Sequence, residues 1–349
     1  MHELDCKHIA ADSPRSDFPD NLLRVSTEPY RYLDERCVHA LLVAEPRGYL
    51  DFLHAELHAI ASGAAALELP PKQLFTDPGE TGDFRVMPCV LRHGDHVRKT
   101  VKLVGTNLRQ TLIPDQITVG KAFVLHPAEN FVSHIVESCL LSSARTGACA
   151  ALAMEKLAAR RRRVTVLGAG RVGYYAALYA AQVPDVETVI LSDRSPQRAS
   201  HCAQHLARLC PGVNFQAQAR ATLTDTDVLI LATTSATPLY GPRDFAAALV
   251  VSLGADSDAQ HELDSHWAQH ADLFVDTMDS QRYGDLHAWL AAGLVRAADL
   301  TDLIEVLRRP PAAPTRTRAF ISTGSALFDN LTLGYLLTRL PEIKGVGVI

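Results

Sequence analysis

A short β-branched run, Val164–Leu167 (VTVL), passes directly into Gly168-Ala169-Gly170-Arg171-Val172-Gly173 and then into the small-residue stretch YYAALYAAQ. No other segment restricts the fold as much. A second apolar run, Thr188–Ser192 (TVILS), follows and ends at Asp193. Strand, glycine turn, helix and strand make a βαβ unit. Downstream, Val228–Ala232 (VLILA), Leu249–Leu253 (LVVSL) and Leu273–Asp276 (LFVD) are short and mostly apolar. Runs of that kind fit parallel strands covered on both faces. From Arg161 to about Arg309 the sequence therefore predicts an α/β domain, a doubly wound parallel sheet of the Rossmann type.

The glycine turn also carries chemistry. Gly168 permits the tight turn, Gly170 lets a pyrophosphate approach the backbone, and Gly173 lets helix and strand pack closely. The pyrophosphate would rest on the helix N-terminus at Arg171 and Val172, where unpaired N–H groups and the helix dipole favour an anion. Asp193 follows Gly173 by 20 residues, at the end of the second strand, where a carboxylate accepts from both ribose hydroxyls. A carboxylate there repels a 2′-phosphate, so NAD is expected rather than NADP, although the adjacent Arg194 is placed to reach such a phosphate. Thr233, Thr234 and Ser235 follow VLILA at a strand's carboxyl end, where ligands of open α/β sheets bind.

The chain has 349 residues, enough for about two domains of roughly 150 residues each. The first 145 residues read differently from the rest. Tyr49–Ser62 is an amphipathic helix, and segments near 84–91, 100–105 and 117–126 look like strands of a mixed sheet. A long helix over Ser143–Arg160 leads to the glycine turn. After the dinucleotide-type domain come a proline-rich loop (308–318) and a last helix, Leu327–Arg339, expected to return and pack on the N-terminal part. The expected division is 1–145 completed by 319–349 as an α+β domain, with 146–318, linker helix included, as the Rossmann domain.

The net charge of −5 gives no field to attract nucleic acid or anionic lipid. Apolar stretches fall short of the roughly 20 residues a membrane helix needs, and the start MHELDCKHIAADSPRSD lacks a secretory pattern. A soluble, cytoplasmic protein is expected. Seven cysteines, an odd number without a CxxC pair, read as reduced thiols, and no metal site is expected.

Three N-terminal segments are dense in functional residue types: Pro70-Pro71-Lys72-Gln73 with Gly82–Pro88 (GDFRVMP), Val101–Asn107 (VKLVGTN) and Ser143–Ala148 (SARTGA). Lys102 is flanked by apolar residues within a predicted strand. Arg145 opens a helix whose small residues let a ligand or another backbone come close. Spacing alone fits a salt-bridged surface pair as well as a ligand site.

With GDFRVMP, VKLVG, SARTGACAALA, VLGAGRVG, LGADSDAQHELD and STGSALFDN taken together, the sequence resembles the ornithine cyclodeaminase/μ-crystallin family from roughly Glu68 to Tyr335. The resemblance implies a dinucleotide domain, a substrate domain built from the N-terminal part and the C-terminal helix, and homodimers joined through the substrate domains. It implies NAD or NADP chemistry at the Cα–N bond of amino acids, imines or N-substituted amino acids. Residue by residue, it makes Lys102 the active-site lysine, Arg145 a carboxylate-binding arginine and Lys72 a second grip on that carboxylate. It makes Asp256 the acid that handles the amine proton and Gly324 a glycine near the nicotinamide. Dedicated ornithine cyclodeaminases resemble one another in a glutamate two residues before the Met-Pro pair, a position held here by Arg85, which suits a second carboxylate instead. GDFRVMP and PPKQ are more similar to the family's amino-acid and N-carboxyalkyl amino-acid dehydrogenases. The expectation is an NAD-dependent oxidoreductase on a small amino or imino acid. The alternatives are a cyclodeaminase that recycles its NAD and releases ammonia, and a crystallin-like nucleotide binder without turnover.

Overall fold

A computed structural model describes residues 27–340, apart from 77–81, 108–109, 114–115, 244–245, 256 and 258–259. Asp256 and Cys6 lie outside the described residues.

The N-terminal part forms a seven-stranded sheet. Its strands are β1 (Arg31–Leu33), β2 (Ala65–Glu68), β3 (Gln73–Thr76), β4 (Gly82–His93), β5 (His96–Asn107), β6 (Thr118–Leu125) and β7 (Val132–Glu137). They run in the order β1-β7-β6-β5-β4-β2, with β3 also on β4, and only β1 pairs in parallel. Side chains of a strand alternate between faces, and β4 shows it: Arg85, Met87, Cys89 and Leu91 are buried, while Phe84 is exposed. On β5, Lys102 stands opposite Met87 and Val104 opposite Arg85. The sheet's covered face therefore holds both Arg85 and Lys102.

Two helices, α1 (Glu35–Ala44) and α2 (Pro46–Ser62), lead into this sheet, and α3 (Cys139–Leu157) leaves it. The carboxylate of Glu35 accepts from the N–H groups of Cys139 and Leu140, at 2.8 and 2.9 Å, and so caps α3. This distant cap explains why α3 starts at Cys139 rather than at the expected Ser143.

The second sheet has eight strands, all parallel. They are β8 (Arg163–Leu167), β9 (Thr188–Ser192), β10 (Asn214–Ala217), β11 (Val228–Leu231), β12 (Leu249–Ser252), β13 (Ala271–Val275), β14 (Leu300–Asp302) and β15 (Thr317–Ile321), in the order β10-β9-β8-β11-β12-β15-β13-β14. Between β8 and β9 runs α4 (Arg171–Ala180), and between β9 and β10 runs α5 (Pro196–Leu209). The strand order reverses between β8 and β11, which opens a crevice at their carboxyl ends.

Strand β15 differs from what the sequence predicts, a loop to residue 318 with 319–349 belonging to the other domain. The chain instead returns to insert β15 between β12 and β13. Arg318 interrupts the apolar pattern that would have marked a central strand. Its charge is accommodated by the Leu157 carbonyl at 2.9 Å and by the Phe274 ring, 5.7 Å away.

The last helix, α6 (Ala326–Thr338), lies on the covered face of the first sheet. The side-chain amide of Asn330 donates to the carbonyls of Cys89 and Arg98 and to Thr100 Oγ1, while its oxygen accepts from Arg98 Nε at 2.9 Å. Helix α3 crosses α4 so closely that a Cβ on Gly147 would stand 2.5 Å from the Ala176 nitrogen. No described helix is long and apolar enough to cross a membrane. The described cysteines are all free thiols.

Candidate active site

At the carboxyl end of β8 the backbone turns at Gly168 with φ +94°, a conformation that L side chains rarely adopt. A Cβ on Gly173 would lie 1.7 Å from the Gly168 carbonyl, so the turn and α4 pack backbone to backbone. At Gly170 an added Cβ would meet no protein atom within 4 Å. That vacancy is what a pyrophosphate approaching the helix N-terminus requires.

Around this turn opens a cavity of about 1560 Å³, lined among others by Gly168, Gly170, Arg171, Asp193 and Arg194, with Thr233, Thr234 and Ser235 on the far side. Val172 turns its side chain toward the core. The Asp193 carboxylate is fixed by the N–H groups of Ala169 and Ser195, both at 2.8 Å. Each of its oxygens retains a further acceptor position for a ribose hydroxyl. These features fit a dinucleotide.

A buried carboxylate not expected from the sequence, Glu262, supports the far side. It accepts from the N–H and hydroxyl of Thr233 at 2.7 and 2.8 Å, from Ser252 Oγ, and from the N–H groups of Leu253 and Gly254. Burial pushes its pKa up while these donors oppose the shift. The loops after β11 and β12 are thereby tied together at the sheet's carboxyl edge.

The four cations singled out in the N-terminal half, Lys72, Arg85, Lys102 and Arg145, are all buried. Lys102 Nζ lies 2.7 Å from Asp329 Oδ2 and donates to Ser142 Oγ at 3.2 Å. Arg145 Nε donates to the other oxygen of Asp329 at 3.1 Å. Lys72 donates to the Thr323 carbonyl at 2.9 Å and sits 3.7 Å over the Tyr283 ring. Arg85 grips Asp83 through Nε at 2.8 Å and Nη2 at 3.1 Å, a bidentate pair. Burial pushes Lys102 down to about 8; Asp329 opposes the shift, and Arg145 and Arg85 add to it.

Gly324 adopts φ +84° beside Arg145, where a Cβ would come within 2.7 Å of Nη2. The segment 322–324 follows β15 at the same carboxyl edge as the glycine turn. Asp276 accepts from Ser322 Oγ at 2.7 Å and Ser280 Oγ receives the Thr323 N–H at 3.1 Å, which holds this segment in place. Gly254 and Ala255 end the neighbouring β12 loop just before Asp256, which is not among the described residues. Asp329 and Asp276 are not among the residues expected from the sequence. A lone acid within the apolar run of STGSALFDN was the available sign of Asp329.

The sequence matches the model of the "Ornithine cyclodeaminase/mu-crystallin family" over residues 39–337. It is 30% identical over 252 residues to an iminosuccinate reductase of Paracoccus denitrificans, covering 69% of this chain and 75% of the relative. It is 28% identical over 315 residues to an L-lysine cyclodeaminase of Streptomyces rapamycinicus, covering 85% of this chain and 88% of the relative. Among solved structures, a Delta(1)-pyrroline-2-carboxylate reductase of Thermococcus litoralis in complex with NADH and L-proline superposes with a TM-score of 0.75 at 19% identity, covering 88% of this chain and 96% of that one. At that identity the likeness speaks for the fold.

Proposed function

Because the chain belongs to the ornithine cyclodeaminase/mu-crystallin family, we propose that it is an NAD-dependent oxidoreductase acting on the Cα–N bond of an L-amino acid, imino acid or N-carboxyalkyl amino acid through an imine. One observation carries this reading. Two buried cations, Lys102 and Arg145, share the Asp329 carboxylate, and Arg145 lies against Gly324 in the segment that follows β15 at the carboxyl edge of the parallel sheet.

The glycine turn and Asp193 would hold NAD in the cleft they line, where it would supply hydride chemistry at Cα. The protein's share is placement and proton handling. Arg145 and Lys102, with Lys72 beside them, hold the α-carboxylate and so aim Cα toward the cleft, which is catalysis by positioning. In the reductive direction a C=N bond gains a hydride at carbon and a proton at nitrogen, with Asp256 as the proton donor. In the oxidative direction Asp256 takes that proton, and Lys102 assists the water that opens the imine. Arg85, buried on the covered face of β4 with Asp83, is the group for a second acidic arm of the substrate. Within the division expected from the sequence, the N-terminal sheet and α6 form the substrate domain.

The protein is further assigned to the cytoplasm as a homodimer. The free thiols support the first assignment. For the second, Phe75 and Phe84 stack with ring centroids 4.7 Å apart on the outer face of the first sheet, at 44% and 53% exposure. Leu103 stands exposed on the same face.

A screen of NADH absorbance with imines, and with 2-oxo acids plus amines, tests the reading. Stoichiometric loss of NADH is expected with at least one small imine. The lysine cyclodeaminase relative gives a second reading a footing: ammonia release from a diamino acid without net change in NADH would replace the first. Tight NADH binding with no turnover of any amino or imino acid would overturn both.

A further inference from the structure

The carboxylate of Asp329 on α6 stands between the ammonium of Lys102 on β5 and the guanidinium of Arg145 on α3. Its residue is 2% exposed, and beyond the ion pair with Lys102 its Oδ2 has no hydrogen-bond partner among the described residues. A buried carboxylate placed this way depends on that lysine keeping its proton. The elements around Lys102 otherwise present positive charge, Arg145 from α3 and Arg85 from β4, while Ser142 offers a neutral hydroxyl.

We propose that Asp329 is a positioning residue for the chemistry at Cα: its two oxygens hold Lys102 Nζ and Arg145 Nε side by side, so that a substrate α-carboxylate docks on the outer N–H groups of a preset pair of cations. Two features of the geometry support this. An ammonium has three donors, of which Asp329 and Ser142 take two. The terminal nitrogens of Arg145 face Gly324, where any side chain would stand 2.7 and 3.0 Å from them. The missing Cβ lets the segment after β15 close on the guanidinium and brace it. The same contact holds Lys102 charged against burial, so Asp329 sets the pH range of activity as well as the geometry. The proposal rests on the oxidoreductase reading and deepens it.

The test follows NADH-dependent reduction of Δ1-pyrroline-2-carboxylate and of iminosuccinate across pH, in wild type, Asp329→Asn and Asp329→Glu. Calorimetric titration with pyrrole-2-carboxylate reads binding without turnover. In wild type the reductive rate should fall as pH rises through about 8. In Asp329→Asn that limb should move about one to three pH units lower, because an opposite charge at contact distance has been removed. KM and the pyrrole-2-carboxylate Kd should rise about tenfold or more, the scale of one lost charged hydrogen bond. Asp329→Glu should keep the limb near its wild-type position but raise KM, since the longer arm displaces both cations. A folded Asp329→Asn protein with the wild-type limb and KM overturns the proposal. If that variant does not fold, an Asp329→Glu protein with unchanged KM and pyrrole-2-carboxylate affinity does so. A wild type that reduces neither imine and binds no pyrrole-2-carboxylate overturns the carboxylate dock and this proposal with it, whereas the oxidoreductase reading falls only if the wider screen finds no turnover of any amino or imino acid. A wild type that does both, beside unaltered variants, overturns the role of Asp329 alone.

Discussion

Lys102 is 2% exposed, and the cost of carrying its charge out of water shows in a pKa lowered from the ordinary 10.5 to about 8, chiefly by burial. The sign of the linked stability follows from that. Below about pH 8 both the folded and the unfolded chain hold the proton, and the fold bears the full cost of the buried ammonium. Between about 8 and 10.5 the unfolded chain binds more protons than the folded one, so this lysine makes stability rise with pH across that window. Lys102→Met should remove that rise, which urea titrations at several pH values would read as a flatter profile. The same variant should lose about 10²–10⁴-fold in kcat/KM, the span associated with a positioned acid–base group. Asp193 makes a separate residue-level prediction. On the proposed reading, Asp193→Ala removes the acceptor for the ribose hydroxyls and the repulsion of a 2′-phosphate. NADH affinity should fall about tenfold or more while NADPH affinity falls less, as read by fluorescence titration. An unchanged preference would show that this carboxylate, pinned by Ala169 and Ser195, serves only the turn.

Among the elements, α3 shows how far local sequence could be read. Its small residues announced a close approach, and the partner is the backbone of α4, with Gly147 against Ala176. Gly147→Val would force the two helices apart and should destabilise by about 1–3 kcal/mol, the range for overpacking, seen as a lowered urea midpoint. Strands β8, β9, β11 and β12 were legible because strands buried on both faces read as short apolar runs. Strand β15 was not, since Arg318 sits mid-sheet and its partners lie on α3 and β13, far from it in sequence. The site divided along the same line. Lys102, Arg145 and the glycine turn stood in recognisable local contexts. Asp329, which joins the first two, follows Arg145 by 184 residues, and only tertiary packing brings it there. Glu262 was hidden in the same way, since its donors come from two separate strand ends.

For the whole molecule, the decisive feature is that one continuous apolar core runs from Leu33, Val38 and Tyr49 through α3 to Val164, Val189 and Phe320, across both sheets. The cleft is shared as well, since His39, Asn107 and Leu140 line it together with the glycine turn. A chain of two separable domains would unfold in two steps, and NADH would move only the step of the domain that holds it. A common core and a shared cleft couple the two sheets instead. Calorimetry should therefore show one cooperative transition, displaced as a whole by NADH. A ligand bound only by the folded state stabilises by RT ln(1 + [L]/Kd), about 2.7 kcal/mol at a hundredfold excess over Kd, so the midpoint should climb by several degrees and saturate logarithmically. Asp193→Ala should show a smaller rise at the same NADH concentration. Gly147→Val, which loosens the α3–α4 crossing, should be the variant that begins to split the transition. Two peaks in the wild-type trace, one of them indifferent to NADH, would mean that the shared core does not bind the sheets into one unit, and that the cofactor reports on the parallel sheet alone.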